Sequence, residues 1–399
     1  MCVRDMLCAF QVLTCHTACT MAAPPICHDS DLATWRAAHS SCPDQTWWEH
    51  AAQSIANHTG HMTYVNVGAN KGYNLAAMAA RYGAQVDGRS WYAALLEHMR
   101  DRGQPFDVVK AERSRKGSGG TLCGVCRACV EGPSSFPTTR QSLQMFAIEL
   151  LPANVAWLRA AMDRFGLNVP VLQLAAGNVS GDELYVPSEV AVGAESIKAT
   201  HGQNQSTVVS VKTVALDDFF RSQKIHHAHL VSIDTEGSDG AVLLGMRQHL
   251  AQGKVDALEF EYSARWKETN SDVTLSSTLA WLEGLDYACW WQGEDGCLSP
   301  ASTACWRQEF SAVTWGNIVC VRRGARSMFA AVSGLAEVCS TRREGIQRFA
   351  RLSRRWELIM KHDRELVATA LQIANTTHAP GPARWGRDRS WLTARHEMQ

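Results

Sequence analysis

The sequence predicts an α/β fold built on a mostly parallel, doubly wound sheet. Three observations carry that reading. From residue 144 to residue 322, short apolar runs of strand character alternate with runs of helical period. A glycine-bearing turn separates the first strand-like run from a helix. Acidic residues close two of the later strands, at the ends where open α/β sheets hold their ligands.

Composition fits this class. The chain has 399 residues and 43.9 kDa, with 46% hydrophobic and 20% charged residues, enough apolar material for a large core. Lys+Arg and Asp+Glu number 39 each, a balance that argues against a dedicated nucleic-acid binder. Outside the N-terminus no run approaches the ~20 apolar residues that span a bilayer, so no integral membrane domain is expected.

Residues 28–60 read as helical. Met62 to Val67 reads as the first strand and Tyr73 to Tyr82 as the helix after it. Residues 84–140 read as an insertion. It opens with a helix-like piece, Trp91 to Met99, and contains CGVCRAC. Gln144 to Ile148 is the next strand. Pro152 to Phe165 is a helix with proline at its start, where a missing N–H costs little. Val169 to Leu174 is a strand; Leu184 to Val186 and Thr207 to Val211 read as a hairpin. Leu216 to Phe220 begins a short helix, and His229 to Ile233 is a strand followed by a helix over Asp239 to Leu250. Ala257 to Tyr262, a helix over Leu275 to Leu285, and strands at Tyr287 to Trp291 and Asn317 to Val321 complete the core. Residues 336–399 read as a basic helical extension.

The most informative segment is TYVNVGANKGYN. Gly68 lets the chain turn sharply after the strand. Gly72 allows close approach of backbone to a ligand where the helix starts, and N–H groups there favour an anionic group. The alternative is a tight strand-to-helix turn without a ligand. Glu149 closes the second strand, where a ribose diol is held in dinucleotide-type folds. It lies 77 residues beyond Gly72 rather than the usual ~20, and the insertion accounts for the excess. The third element is LVSIDTEGSDG. In an extended segment Asp234 and Glu236 point the same way. They could position a cofactor ammonium, orient an acceptor hydroxyl or take its proton. The alternative is that one of them caps the following helix.

Taken together, NVGANKG (Asn66 to Gly72), ELLPAN (Glu149 to Asn154), TVALDDFF (Thr213 to Phe220) and SIDTEG (Ser232 to Gly237) resemble, in order, the four motifs of the FkbM-type S-adenosylmethionine-dependent methyltransferases. The resemblance spans about residues 62–322. It implies a Rossmann-like class I methyltransferase core over residues 28–335, carrying the cysteine-containing insertion and flanked by helical N- and C-terminal extensions. The implied cofactor is S-adenosylmethionine, and the implied activity is O-methylation of a hydroxyl on a sugar, glycan or small molecule. Asn66, Gly68, Ala69, Asn70 and Gly72 would cradle the methionine end. Glu149 would hold the ribose hydroxyls, with Asn154 in the same motif, and Ala175 and Ala176 would lie near the adenine. Asp234 would sit nearest the sulfonium and the acceptor, with Glu236 beside it, the two acting as the catalytic pair. Asn66 stands where the family usually has an acid, Leu150 replaces a proline, and Ser232 stands where lysine is frequent.

Two other readings bear on the same residues. A nicotinamide-dependent oxidoreductase would want G-x-G-x-x-G, and Asn70 occupies its second glycine position. A non-catalytic binding module on a decayed methyltransferase core is favoured by Asn66.

Fourteen cysteines are compatible with disulfides, free thiols or metal ligands. For Cys123, Cys126 and Cys129 a disulfide clip is preferred over a metal site. Cys297 and Cys305 flank a short loop suited to a bridge. No catalytic metal is expected, and His226, His227 and His229 are placed at a strand entrance. Residues 1–27 read either as a disordered leader or as a signal peptide, which leaves a secretory lumen and the cytoplasm both open. Sequons at Asn57, Asn178, Asn204 and Asn375 would permit glycosylation in the first case.

Overall fold

A computed structural model describes residues 47–48, 51, 60–102, 142–188, 208–269, 273–293, 298–312 and 315–341. The Cys123–Cys129 motif, Cys297, most of residues 28–60 and everything beyond 341 lie outside them. The core strands are β1 (His61–Val67), β2 (Ser142–Glu149), β3 (Val171–Gln173), β7 (Ala228–Ile233), β8 (Val255–Ser263), β9 (Tyr287–Gln292), β10 (Leu298–Pro300) and β11 (Trp315–Arg322). They form one sheet in the order β10-β9-β11-β8-β7-β1-β2-β3. β1, β2, β3, β7 and β8 are mutually parallel, while β11 runs antiparallel to both β8 and β9. β10 is in turn antiparallel to β9, so β11 and β10 run against the other six strands, and this mostly parallel sheet is the Rossmann-like core that the sequence predicts.

Alternation along β1 builds two cores. Met62 and Tyr64 face one side with α1 (Tyr73–Arg81), α2 (Gly88–Asp101) and α3 (Pro152–Arg164). Val65 and Val67 face the other, with α4 (Leu216–Ser222), α5 (Asp239–Gly245), α7 (Trp266–Thr269) and α8 (Leu275–Gly284). α9 (Arg326–Thr341) joins the first layer through Met328 and Val332. Side-chain caps set two helix starts among the described residues. The Asp87 carboxylate accepts from Ser90 N and begins α2, and Thr274 with Ser277 begins α8.

The structure alters three expectations. The helix read as the opening of an insertion is a core element: Trp91, Tyr92 and Leu95 of α2 are buried in the first layer. The single helix over 239–250 is two, α5 and α6 (Arg247–Ala251), broken at Met246. A Cβ on Gly245 would lie 2.0 Å from the Gly177 carbonyl oxygen, so this helix end meets backbone directly. The strand read as 169–174 divides at Leu174. Its continuation, β4 (Ala175–Gly177), leaves the main sheet and pairs with β6 (Val208–Ala215), which pairs on its other side with β5 (Glu183–Pro187).

Cys289 on β9 and Cys320 on β11 are register partners joined by a disulfide, their Cα atoms 4.0 Å apart. Cys305 is disulfide-bonded as well. Trp290 and Trp291 are buried core residues, the commoner role for tryptophan. Trp315 is half-buried and faces Ser263 across the β8–β11 pair.

Candidate active site at the carboxyl end of the sheet

Strand order reverses between β1 and β7, and the crevice beyond their carboxyl ends is where open α/β sheets bind ligands. The chain is drawn tightly together there. Asp234 N donates to Val67 O at 2.9 Å, and Gly68 N and Ala69 N donate to Ile148 O at 2.9 and 3.1 Å. Gly68 has φ +76°, and a Cβ on it would lie 1.8 Å from the Asp234 carbonyl oxygen. Glycine is therefore required here by steric exclusion and by the left-handed backbone together.

Gly72 also has positive φ, but a Cβ there would meet Leu158 at 2.5 Å and Trp91 at 2.9 Å. The close approach it permits is to core side chains rather than to a ligand, and its N–H donates to Ala69 O at 2.8 Å. Asn70, at the loop's apex, adopts φ +46°, a region that asparagine tolerates better than most residues.

Glu149 is buried at 5% exposure and locks this loop. Its Oε2 accepts from Asn70 N at 2.7 Å, and its Oε1 accepts from Leu151 N at 2.9 Å. Asn154, also buried, donates from Nδ2 to Asn70 Oδ1 at 3.3 Å and to Glu149 Oε1 at 3.5 Å. Burial pushes the Glu149 carboxyl above its usual range, against the opposing pull of these hydrogen bonds. An ionised carboxylate has about four acceptor sites, so Oε2 keeps capacity for a ligand hydroxyl. The sequence placed Glu149 at a ligand site; that it also holds the glycine loop was not legible from its position.

Asp234 is exposed just beyond β7. The segment after it is not extended: Glu236 takes φ +56° and Gly237 φ +112°, so the geometry that would align the two carboxylates is absent. The Glu236 carboxylate instead forms an ion pair with Arg265. No side chain caps α5; Asp239, its first residue, is fully buried and ties the preceding turn to β8, accepting from Thr235 Oγ1 at 3.0 Å, Gly237 N at 3.3 Å and Glu261 N at 3.3 Å. Burial, then the nearby charge of Asp234, push the Asp239 carboxyl up to about 7.

The sequence reading missed a further buried group. Asn66, Ser232 and Glu259 are register neighbours across β1, β7 and β8. Glu259 is 3% exposed. It accepts from Gln292 Nε2 at 2.8 Å, Trp48 Nε1 at 3.0 Å and Ser232 Oγ at 3.4 Å. Trp47 Nε1 donates to Gln292 Oε1 at 3.0 Å and extends the ring. Burial raises the Glu259 carboxyl to about 7, with Asp234 adding to the effect. A charged residue amid VDALEFEYS was the available signal. The two sequence departures, Asn66 and Ser232, thus lie side by side, so one neutral pair occupies positions where the family pattern puts an acid and a lysine. Ala175 and Ala176 sit on β4, immediately past the end of β3.

Among the described residues, His227, His229 and Asp256 bring possible metal-ligand atoms within 4.8 Å of one another. They lie at the opposite, amino end of β7 and β8. His229 Nδ1 accepts from Thr63 N at 3.0 Å, which leaves the ring proton on Nε2 and no lone pair for a metal. Asp256 is held by His227 Nε2 at 2.7 Å and Arg322 Nη2 at 2.9 Å.

No curated protein matches the chain. Three solved structures show distant likeness. The METTL16 methyltransferase domain is 7% identical with TM-score 0.30, the match covering 70% of this chain and 66% of that one. A human methyltransferase 10 domain containing protein is 6% identical with TM-score 0.29, covering 71% and 85%. Streptococcus pneumoniae Sp1610, titled a putative tRNA (m1A22) methyltransferase, is 10% identical with TM-score 0.27, covering 80% and 95%. Residues 128–289, from just before β2 to β9, match the methyltransferase FkbM domain, the family that the four sequence motifs resemble.

Proposed function

We propose that this chain is an S-adenosylmethionine-dependent O-methyltransferase acting on a hydroxyl of a sugar, glycan or small molecule. The observation that carries the reading is the Glu149–Asn70–Asn154 lock beside an exposed Asp234 at the switch point. The lock holds a carboxylate with open acceptor capacity where ribose hydroxyls would lie. The N–H groups of Gly68, Ala69, Asn70 and Gly72 are all taken by protein acceptors. A dinucleotide pyrophosphate needs such groups free, so the loop suits a cationic, phosphate-free cofactor better than NAD.

When bound, the cofactor supplies a methyl group on an electrophilic sulfonium. The protein's tasks are to align the acceptor oxygen at ~3 Å and to exclude water. Asp234 orients the acceptor hydroxyl and receives its proton. Glu236 is a positioning residue, turned towards Arg265. Trp315, at the crevice end of β11, offers a face for a sugar ring. The binding-module alternative draws on Asn66, but Asn66 beside Ser232 leaves no unpaired charge between β1 and β7, so that substitution alone does not argue for decay.

Calorimetric titration with S-adenosylmethionine, with NADH as control, tests the reading. The expected result is binding at about micromolar concentration that is lost in Glu149→Ala, with no heat from NADH. Folded protein that binds neither would overturn the assignment.

A further inference from the structure

Two features outside the crevice point to one conclusion. The first is the disulfide between Cys289 and Cys320, buried at 3% and 0% exposure, together with the disulfide at Cys305. Structural disulfides of this kind form where thiols are kept oxidised. The second is Asn178-Val179-Ser180, an N-x-S sequon in the turn between β4 and β5. We propose that Asn178 carries an N-linked glycan.

Its geometry suits that role. Asn178 is exposed, and a Cβ built on Gly177 or Gly181, at either side of it, would meet nothing within 4 Å. Ser180 pins the turn: its Oγ accepts from Ala215 N at 2.8 Å and is bonded to the Asp218 carboxylate. With the serine held against the body, Asn178 stands at the outer side of the bend. Val179 at 50% and Tyr185 at 41% are the large apolar residues exposed among the described residues, and both belong to this turn and the strand after it. A sugar on Asn178 would shield Val179 from water. The other sequons, at Asn57, Asn204 and Asn375, lie outside the described residues.

The turn lies where α5 ends, with Gly245 against the Gly177 carbonyl, at the opposite end of that helix from Gly237. In the transfer, Asn178 Nδ2 bonds to the anomeric carbon of an oligosaccharide carried on a lipid pyrophosphate. The anomeric C–O bond breaks, the lipid pyrophosphate leaves, and the amide proton passes to a base of the transferring enzyme. No electrons are exchanged. The inference is independent of the methyltransferase reading.

The test is peptide mass spectrometry of the full chain, produced in eukaryotic cells with its own N-terminus and purified with free thiols blocked. The Asn178 peptide should carry a hexosamine-containing glycan and read as aspartate after amidase release. Asn178→Gln should remove one glycan's worth of gel retardation while keeping the Cys289–Cys320 bond. An unmodified Asn178 in disulfide-bonded protein would overturn the proposal, as would blocked, unpaired Cys289 and Cys320.

Discussion

The two ends of β1, β7 and β8 both gather polar groups, and they differ in what those groups have left to offer. At the amino end, His229 accepts from Thr63 N while Asp256 is held between His227 and Arg322. Burial, with His227 adding, pushes the His229 ring down to about 4, so it is neutral near pH 7. At the carboxyl end the backbone is tied as firmly, but Asp234 stands exposed and Glu149 keeps acceptor capacity. Titratable side chains are gathered at both ends, and the proposed site rests on the exposure of Asp234 and the acceptor capacity of Glu149 beside fixed backbone.

Substitutions at each end sharpen this contrast. The largest effect is expected for Gly68→Ala. A methyl group 1.8 Å from a carbonyl oxygen, on a left-handed backbone, should cost about 3 kcal/mol or more, read as a large drop in Tm and loss of cofactor binding. Next is Asp234→Ala, which should lower kcat by about 10²- to 10⁴-fold with Tm unchanged; wild-type turnover would remove Asp234 from the chemistry. His229→Ala should cost about 1–3 kcal/mol by stranding the Thr63 N–H, yet leave cofactor affinity and kcat untouched. A loss of turnover there would erase the distinction between the two ends. Asn154→Ala should cost about 1 kcal/mol and weaken cofactor binding through a looser Asn70.

A pH series tests the buried carboxyls. Asp239 and Glu259 hold their protons to about 7 in the fold but release them near 4 when unfolded. Their folded values are raised, so the unfolded state binds fewer protons between pH 4 and 7. Their contribution to stability is full below that window and is lost as pH rises through it. Glu259→Gln should flatten this part of the stability profile, measured as Tm against pH. An unchanged slope would mean that Glu259 titrates normally.

Much of the fold was legible because strand and helix periods are strong in this sequence, whereas the order of strands in the sheet came only from the structure. What was illegible depended on contacts distant in sequence. α2 looked like the start of an insertion because the low-hydrophobicity stretch after it dominated the pattern, whereas Trp91 fills the space that Gly72 leaves open. The Asp234–Glu236 alignment failed because a left-handed residue and Arg265 redirect the second carboxylate. Glu259 was passed over because its partners Trp48, Ser232 and Gln292 come from three separate regions of the chain.

β1 lies inside the sheet between β7 and β2, which constrains folding on the ribosome. Its lateral neighbours are remote: Thr63 meets His229 across 166 residues, and His61 meets Ser142 across 81. Loop closures of that span slow folding, and no partial chain ending before β7 contains both walls of the crevice. On the proposed reading, cofactor capture would begin only after more than half the polypeptide has emerged, so truncated translation products would be blind to the ligand and could not be rescued by it.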